Sequence, residues 1–213
     1  MCSSDLSANI SLEHIAYGTM MGKDGKPFQT RAGDTIKLVE LLNGACRRAF
    51  ELVSGKNPDL DEDSRQAIAD KVGIAAVKYA DLSKNRTSDY IFDWSSMLSF
   101  EGNTAPYLMY AYARIKSILR KQEVALERYN ITSIDAQEER DLLLKNLQLP
   151  EVIEMVAADC YPNLLCNYLY ELAGKFMRFY EACPILKVEL ERRNSRLSLA
   201  ALKIGRASCR DRV

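Results

Sequence analysis

Residues 163–182 repeat Leu164, Leu165, Tyr168, Leu172, Phe176 and Phe179 at helical spacing, with steps of three or four from Leu165 on. Such spacing puts them all on one face of a helix about five turns long. A helix with one apolar face has to bury it, and no neighbouring segment alternates strictly enough to offer a sheet. The same spacing recurs at 38–50 (Leu38, Leu41, Leu42, Cys46, Ala49, Phe50), at 64–82 (Ile68, Val72, Ala75, Ala76, Tyr79), and again at 136–147 and 150–158. The economical solution is helix against helix, which predicts a mainly α protein built as an antiparallel bundle. Residues 10–21 are the exception. They alternate roughly and hold Ile15, Tyr17 and Thr19, which favours a short β element before the bundle. Residues 22–27, with two glycines and Pro27, form a turn or mobile loop. Asp34 and Thr35 are placed to cap the helix that follows.

The stretch EGNTAPYLMYAYARIKSI at 101–118 carries two stripes instead of one. Asn103 or Thr104 caps its start and Pro106 fits the first turn, where a missing N–H costs nothing. Leu108, Ala111, Ile115 and Ile118 share one arc and face a core, and the helix is expected to run on to about residue 128. Tyr107, Tyr110, Arg114 and Lys121 lie on the adjacent arc. Tyrosine rings stack on unpaired bases and basic side chains hold phosphates, so this arc suits a single-stranded RNA loop. Tyrosines that rim a core give the same spacing, and spacing alone favours the rim.

Composition narrows the alternatives. The chain has 213 residues, and its 29 basic and 29 acidic side chains balance, so bulk charge announces no nucleic-acid partner. A local basic patch remains compatible with that balance. No apolar run approaches the ~18 residues that a membrane helix needs. Cysteines at 2, 46, 160, 166, 183 and 209 form no C-x-x-C pair, and His14 is the single histidine, which argues against a zinc cluster. Scattered thiols in helical patterns fit a reduced, cytoplasmic setting. His14 itself reads as structural. In YADLSKNRTSDYIF, Tyr79, Asp81, Arg86 and Asp89 read as links between helices, with Lys84 and Arg86 the outlying candidates for phosphate contacts. Tyr168, Tyr170, Phe176, Phe179 and Tyr180 read as core.

The two ends break the pattern. Residues 1–6 (MCSSDL) and 204–213 (IGRASCRDRV) resemble translated sequencing-adapter DNA, leaving 7–203 for fold reasoning.

Three pieces, HIAYGTMMGKDGKPFQTRAGDT, GIAAVKYADLSKNRTSDYIFDWSSMLSFEGNTAPYLMYAYARIKSI and NYLYELAGKFMRFYEACPIL, occur in this order and resemble arginyl-tRNA synthetases, members of class I. The resemblance implies an arginine–tRNA ligase that consumes ATP, L-arginine and tRNA-Arg. Residues 7–33 would end its catalytic domain and 34–203 would form a truncated helical anticodon-binding domain. It places a KMSKS-like loop at 23–31, where Lys26 stands for the first lysine, Gln29 for the second and Thr30 for the terminal serine, with Lys23 and Arg31 as helpers. Mobile lysines there would close on ATP phosphates. Gln29 departs from the usual lysine. Tyr107, Tyr110 and Arg114 would receive the anticodon loop, with Lys84, Arg86 and Lys121 near phosphates. The resemblance further implies Mg only as the counter-ion of ATP, no protein-bound metal, no DNA or membrane partner, and a monomer. A HIGH-type motif is absent from these residues, so the chain is expected to be inactive alone. The competing expectation is a non-enzymatic helical module that binds RNA or a protein.

Overall fold

The computed structural model describes residues 13–22, 24–27, 38–121 and 130–207, with the side chains of 203–207 excepted. Eight helices dominate the described residues: α1 (Leu38–Lys56), α2 (Glu62–Leu82), α3 (Trp94–Met97), α4 (Ala105–Arg120), α5 (Gln137–Leu147), α6 (Leu149–Asp159), α7 (Pro162–Ala182) and α8 (Leu190–Ala207). Two short strands, β1 (Met20–Met21) and β2 (Tyr90–Ile91), pair in parallel with Met20 opposite Tyr90. The fold is therefore mainly helical with a small β element, as the periodicity predicts.

The main core lies where α4, α5, α7 and α8 converge. Ile115, Ile118, Leu142, Leu172, Phe176, Phe179, Leu197 and Leu199 fill it. Along α5 and α7, Lys145 pairs with Glu171 and Lys175 with Asp141, each at 2.5 Å, which sets these helices antiparallel. The segment before α5 is stitched to α8 by hydroxyls. Ser195 Oγ donates to the Ser133 carbonyl at 2.8 Å, and Ser198 Oγ accepts the Asn130 N–H at 3.0 Å.

In α1 and α2 the expected Leu41, Ala49, Val72 and Ala76 are buried, but the contact shifts toward smaller residues. Leu38 and Ile68, placed on buried faces by the apolar spacing, are exposed, and the contact is made by Ala45, Ala49, Ala69, Val72, Gly73 and Ala76. Small residues let the backbones approach. A Cβ on Gly73 would stand 2.7 Å from the Cys46 Cα, inside any tolerable contact. Gly73→Ala is expected to cost about 1–3 kcal/mol, because overpacking outweighs the gain in helix propensity. Urea unfolding followed by the fluorescence of Trp94, the single tryptophan, measures this. An unchanged midpoint would mean that α1 and α2 separate at no cost.

Three other expectations change. The strand foreseen at 10–21 shrinks to Met20–Met21, because only residues 18–21 meet a partner backbone; residues 10–12 lie outside the described residues. That partner, β2, lies 70 residues further on, in a stretch that reads as irregular by sequence. Helix α4 ends at Arg120 with Lys121 as its cap instead of continuing toward 128; 122–129 are outside the described residues. The proposed caps Asp34 and Thr35 and the adapter-like residues 1–6 and 208–213 also lie outside the described residues.

Candidate nucleic-acid interface

Helix α4 begins as its sequence requires. Thr104 is the N-cap: its Oγ1 accepts the Tyr107 N–H at 3.3 Å and donates to the Ser99 carbonyl at 2.6 Å. Ala111, Ile115 and Ile118 then face the core, Leu108 is half-buried, and this rotation turns the second arc toward α7.

On that arc Tyr110 is 42 % exposed. The Arg114 guanidinium lies 4.8 Å from the centre of the Tyr110 ring and 4.9 Å from that of Tyr180 on α7. An arginine between two rings is held flat and keeps its N–H edge free to point outward. Beside this clasp runs a groove of roughly 580 Å³, lined by Tyr110, Arg114, Lys121, Tyr180, Glu181 and Lys187, with Pro184, Ile185 and Leu186 as its apolar wall. Aromatic faces, an apolar wall and three cations around one open groove match what an unpaired base and its phosphate present. Glu181 is the single acidic group of the lining among the described residues, and it disfavours a second phosphate there.

The structure brings Tyr110, Arg114 and Lys121 together and leaves Tyr107 aside. Tyr107 meets Tyr170 edge-on at 5.5 Å, and burial pushes its hydroxyl pKa up. The sequence alone suggests no role for Lys187 and places Tyr180 in the core; the structure leaves Tyr180 partly buried, packed at the edge of that core and lining the groove. Tyr180 falls among Phe176 and Phe179 on the apolar face, and its half-exposed position beside Pro184, where α7 has ended, is the signal that separates it from true core. Phe176, Phe179 and Tyr168 are core as expected.

The remaining candidates lie at the far end of α2. Lys84 is exposed. Arg86, named beside it for phosphate contact, instead gives three of its five N–H donors to the carbonyls of Ala16, Asp159 and Cys160. Tyr79 donates to the Cys166 carbonyl at 2.9 Å, and burial raises its pKa far above the ordinary phenol value. Asp81 accepts the Tyr90 hydroxyl at 2.9 Å and Asp89 the Thr19 N–H at 2.7 Å. These four side chains link elements, as their spacing suggests.

Gly22 and residues 24–27 close a hairpin turn. Gly22 N–H donates to the Lys26 carbonyl and Gly25 N–H, at a φ of 70°, to the Gly22 carbonyl, both at 2.9 Å, while Lys26 itself is exposed. Lys23, Gln29, Thr30 and Arg31 lie outside the described residues.

Two family models match the chain: "tRNA synthetases class I (R), catalytic domain" over residues 5–94 and "DALR anticodon binding domain" over residues 108–204. The arginine–tRNA ligase of Marinomonas sp. (strain MWYL1) is 56% identical over 202 residues, covering 91% of this chain and 35% of that protein. That of Laribacter hongkongensis is 57% identical over 196 residues, covering 91% and 34%. Among solved structures, the Thermus thermophilus arginyl-tRNA synthetase superposes with a TM-score of 0.78 at 31% identity, over 89% of this chain and 32% of its own. The Plasmodium falciparum enzyme gives 0.71 at 26% identity, over 92% and 33%. The chain thus spans about a third of the length of the curated relatives it matches.

Proposed function

Because the chain belongs to the arginyl-tRNA synthetase family, whose C-terminal region it carries, we propose that it is the part of an arginine–tRNA ligase that receives the anticodon loop of tRNA-Arg. The parent reaction joins L-arginine to tRNA-Arg and converts ATP, with Mg as its counter-ion, to AMP and diphosphate. The observation that carries this reading is the clasp of Arg114 between Tyr110 and Tyr180 at the mouth of a groove that also holds Lys121 and Lys187. Tyr110 offers its ring to an unpaired base and Arg114 holds that base's edge or its phosphate. Lys121 and Lys187 screen the backbone, and Tyr107 braces α4 against α7. Lys84 is free to meet phosphate at a second point.

At the other end, Lys26 with Gln29, Thr30, Lys23 and Arg31 forms the loop that closes on ATP phosphates in the parent enzyme. Gln29 supplies hydrogen bonds without charge, so Lys26 and the neighbouring cations carry the electrostatic part. We place the end of the catalytic domain at 7–33 and the anticodon-binding unit at 34–203. The two family matches instead break between 94 and 108, which makes α1 and α2 the elements at stake in that division. The setting is a cytoplasmic monomer, and no helix among the described residues is long and apolar enough to cross a membrane.

Titration of a fluorescent tRNA-Arg anticodon stem-loop tests the reading. Binding is expected to weaken as salt rises, with log K falling by about 0.7 per phosphate neutralised for each unit of log salt, since each lysine or arginine releases a counter-ion. The chain by itself is expected to show no arginine-dependent ATP–pyrophosphate exchange, and exchange above background would contradict that. Binding of neither a cognate nor a scrambled hairpin would favour a module that docks protein.

A further inference from the structure

Arg86 stands where three parts of the chain meet. Its Nε donates to the Cys160 carbonyl at 2.8 Å, Nη2 to the Asp159 carbonyl at 3.3 Å and Nη1 to the Ala16 carbonyl at 2.5 Å. Its guanidinium also lies over the Tyr161 ring, 4.6 Å from the centre. Asp159 is the last residue of α6, Cys160 is its left-handed cap at a φ of 54°, and Tyr161 precedes Pro162, the first residue of α7. Carbonyls at a helix C-terminus lack intrahelical partners and carry the negative end of the dipole, so a cationic fork fits them better than any neutral donor.

The third carbonyl, Ala16, belongs to the segment that leads into the lysine hairpin. From there the two backbones run joined. Gly18 N–H donates to the Arg86 carbonyl, Thr19 N–H to Asp89, Tyr90 N–H to the Thr19 carbonyl at 3.1 Å and Phe92 N–H to the Met21 carbonyl at 2.8 Å. Gly18 is pressed on the Ser88 backbone too closely for any side chain. The hairpin closed by Gly22 and residues 24–27 follows at once. Met20 also packs against the cluster of Leu41, Phe92 and Met97 that includes Trp94.

We propose that Arg86 is a positioning residue: its fork fixes the strand that carries the lysine hairpin against the α6–α7 junction. The hairpin and the tyrosine groove are then held from opposite ends of α7, whose 21 residues span roughly 31 Å. The inference rests on the functional reading above only in taking the hairpin as the ATP-phosphate loop.

Hydrogen exchange on the 213-residue chain tests it. In Arg86→Ala, the amides of Gly18, Thr19, Tyr90 and Phe92 are expected to exchange at least tenfold faster. Those of α4, α5 and α7 should change less than twofold, and Trp94 should become more accessible to acrylamide. Arg86→Lys keeps the charge but presents a single point donor, so it is expected to restore only part of the protection. Unchanged exchange at the four amides overturns the proposal. So does an equal loss of protection in α7, or of the helical circular dichroism, since Arg86 would then hold the whole fold; full rescue by lysine would show that charge alone suffices. Failure of the anticodon hairpin to bind the unsubstituted chain would defeat the functional reading and leave the exchange result standing.

Discussion

Arg196→Met is expected to destabilise the chain by about 3–5 kcal/mol, because it strands a buried carboxylate. Arg196 Nε sits 2.5 Å from Glu139 Oε1, and the two side chains are only 9% and 3% exposed. The other carboxylate oxygen accepts the N–H groups of Asp135 and Ala136 at 2.7 and 2.9 Å, so Glu139 caps the start of α5 from within that helix. Burial alone would raise the Glu139 pKa. The two amides and the Arg196 guanidinium overcome it and hold the carboxyl below its ordinary value. A depressed folded pKa stabilises above the unfolded value of about 4.3, and that contribution is lost as pH falls through the lower folded pKa. The unsubstituted chain should therefore lose stability on acidification below about pH 4.3, and the double variant Glu139→Gln with Arg196→Met should lose less over that range. Removing both charges should also cost less than the two single changes added together, since neither partner is left unpaired. Urea midpoints of the four proteins across pH 3–7 measure this. Additive losses would mean that the pair is not coupled. Arg196 also donates to the Pro184 carbonyl at 2.7 Å, so the same side chain fixes the wall of the groove.

Arg114→Ala is expected to weaken binding of the anticodon stem-loop by about 10–100-fold, or roughly 1.4–2.8 kcal/mol. The change removes a charge and also the spacer that holds Tyr110 and Tyr180 in place. Arg114→Lys should recover only part of the affinity, because a point ammonium is a poorer fit than a planar fork stacked between two rings. Tyr110→Ala should weaken binding by a smaller factor with little change in salt dependence, since a ring carries no counter-ion. Circular dichroism checks that α4 persists, as expected for side chains outside the core. Full affinity in Arg114→Ala would place the RNA elsewhere.

What the sequence reveals of this molecule follows the range of the forces involved. Helix faces are local, so Ile115, Ile118, Phe176 and Phe179 can be placed in the core from spacing alone, and the cap can be narrowed to Asn103 or Thr104, of which the structure uses Thr104. The β1–β2 pairing is not local: two residues meet two others 70 positions away, and no period marks so short a strand. The α1–α2 contact is legible only in part: Ala49, Val72 and Ala76 fall in the apolar pattern, while Ala45, Ala69 and Gly73, on which the close approach depends, weigh little in it. For the groove, α4 displays its half in the arc of Tyr110, Arg114 and Lys121. The other half comes from Tyr180 and Lys187, which only the packing of α7 against α4 brings to that arc. Arg86 illustrates the converse. A basic side chain in a polar loop invites a phosphate, while the carbonyls that engage it lie 70 or more positions away on both sides.

The most direct test is a competition titration that sets the tRNA-Arg anticodon stem-loop against a hairpin of the same stem with its loop scrambled, both at physiological salt. A groove built to take an unpaired base predicts at least tenfold tighter binding of the cognate loop, and a loss of most of that preference in Arg114→Ala. Equal affinity for the two hairpins would contradict the account.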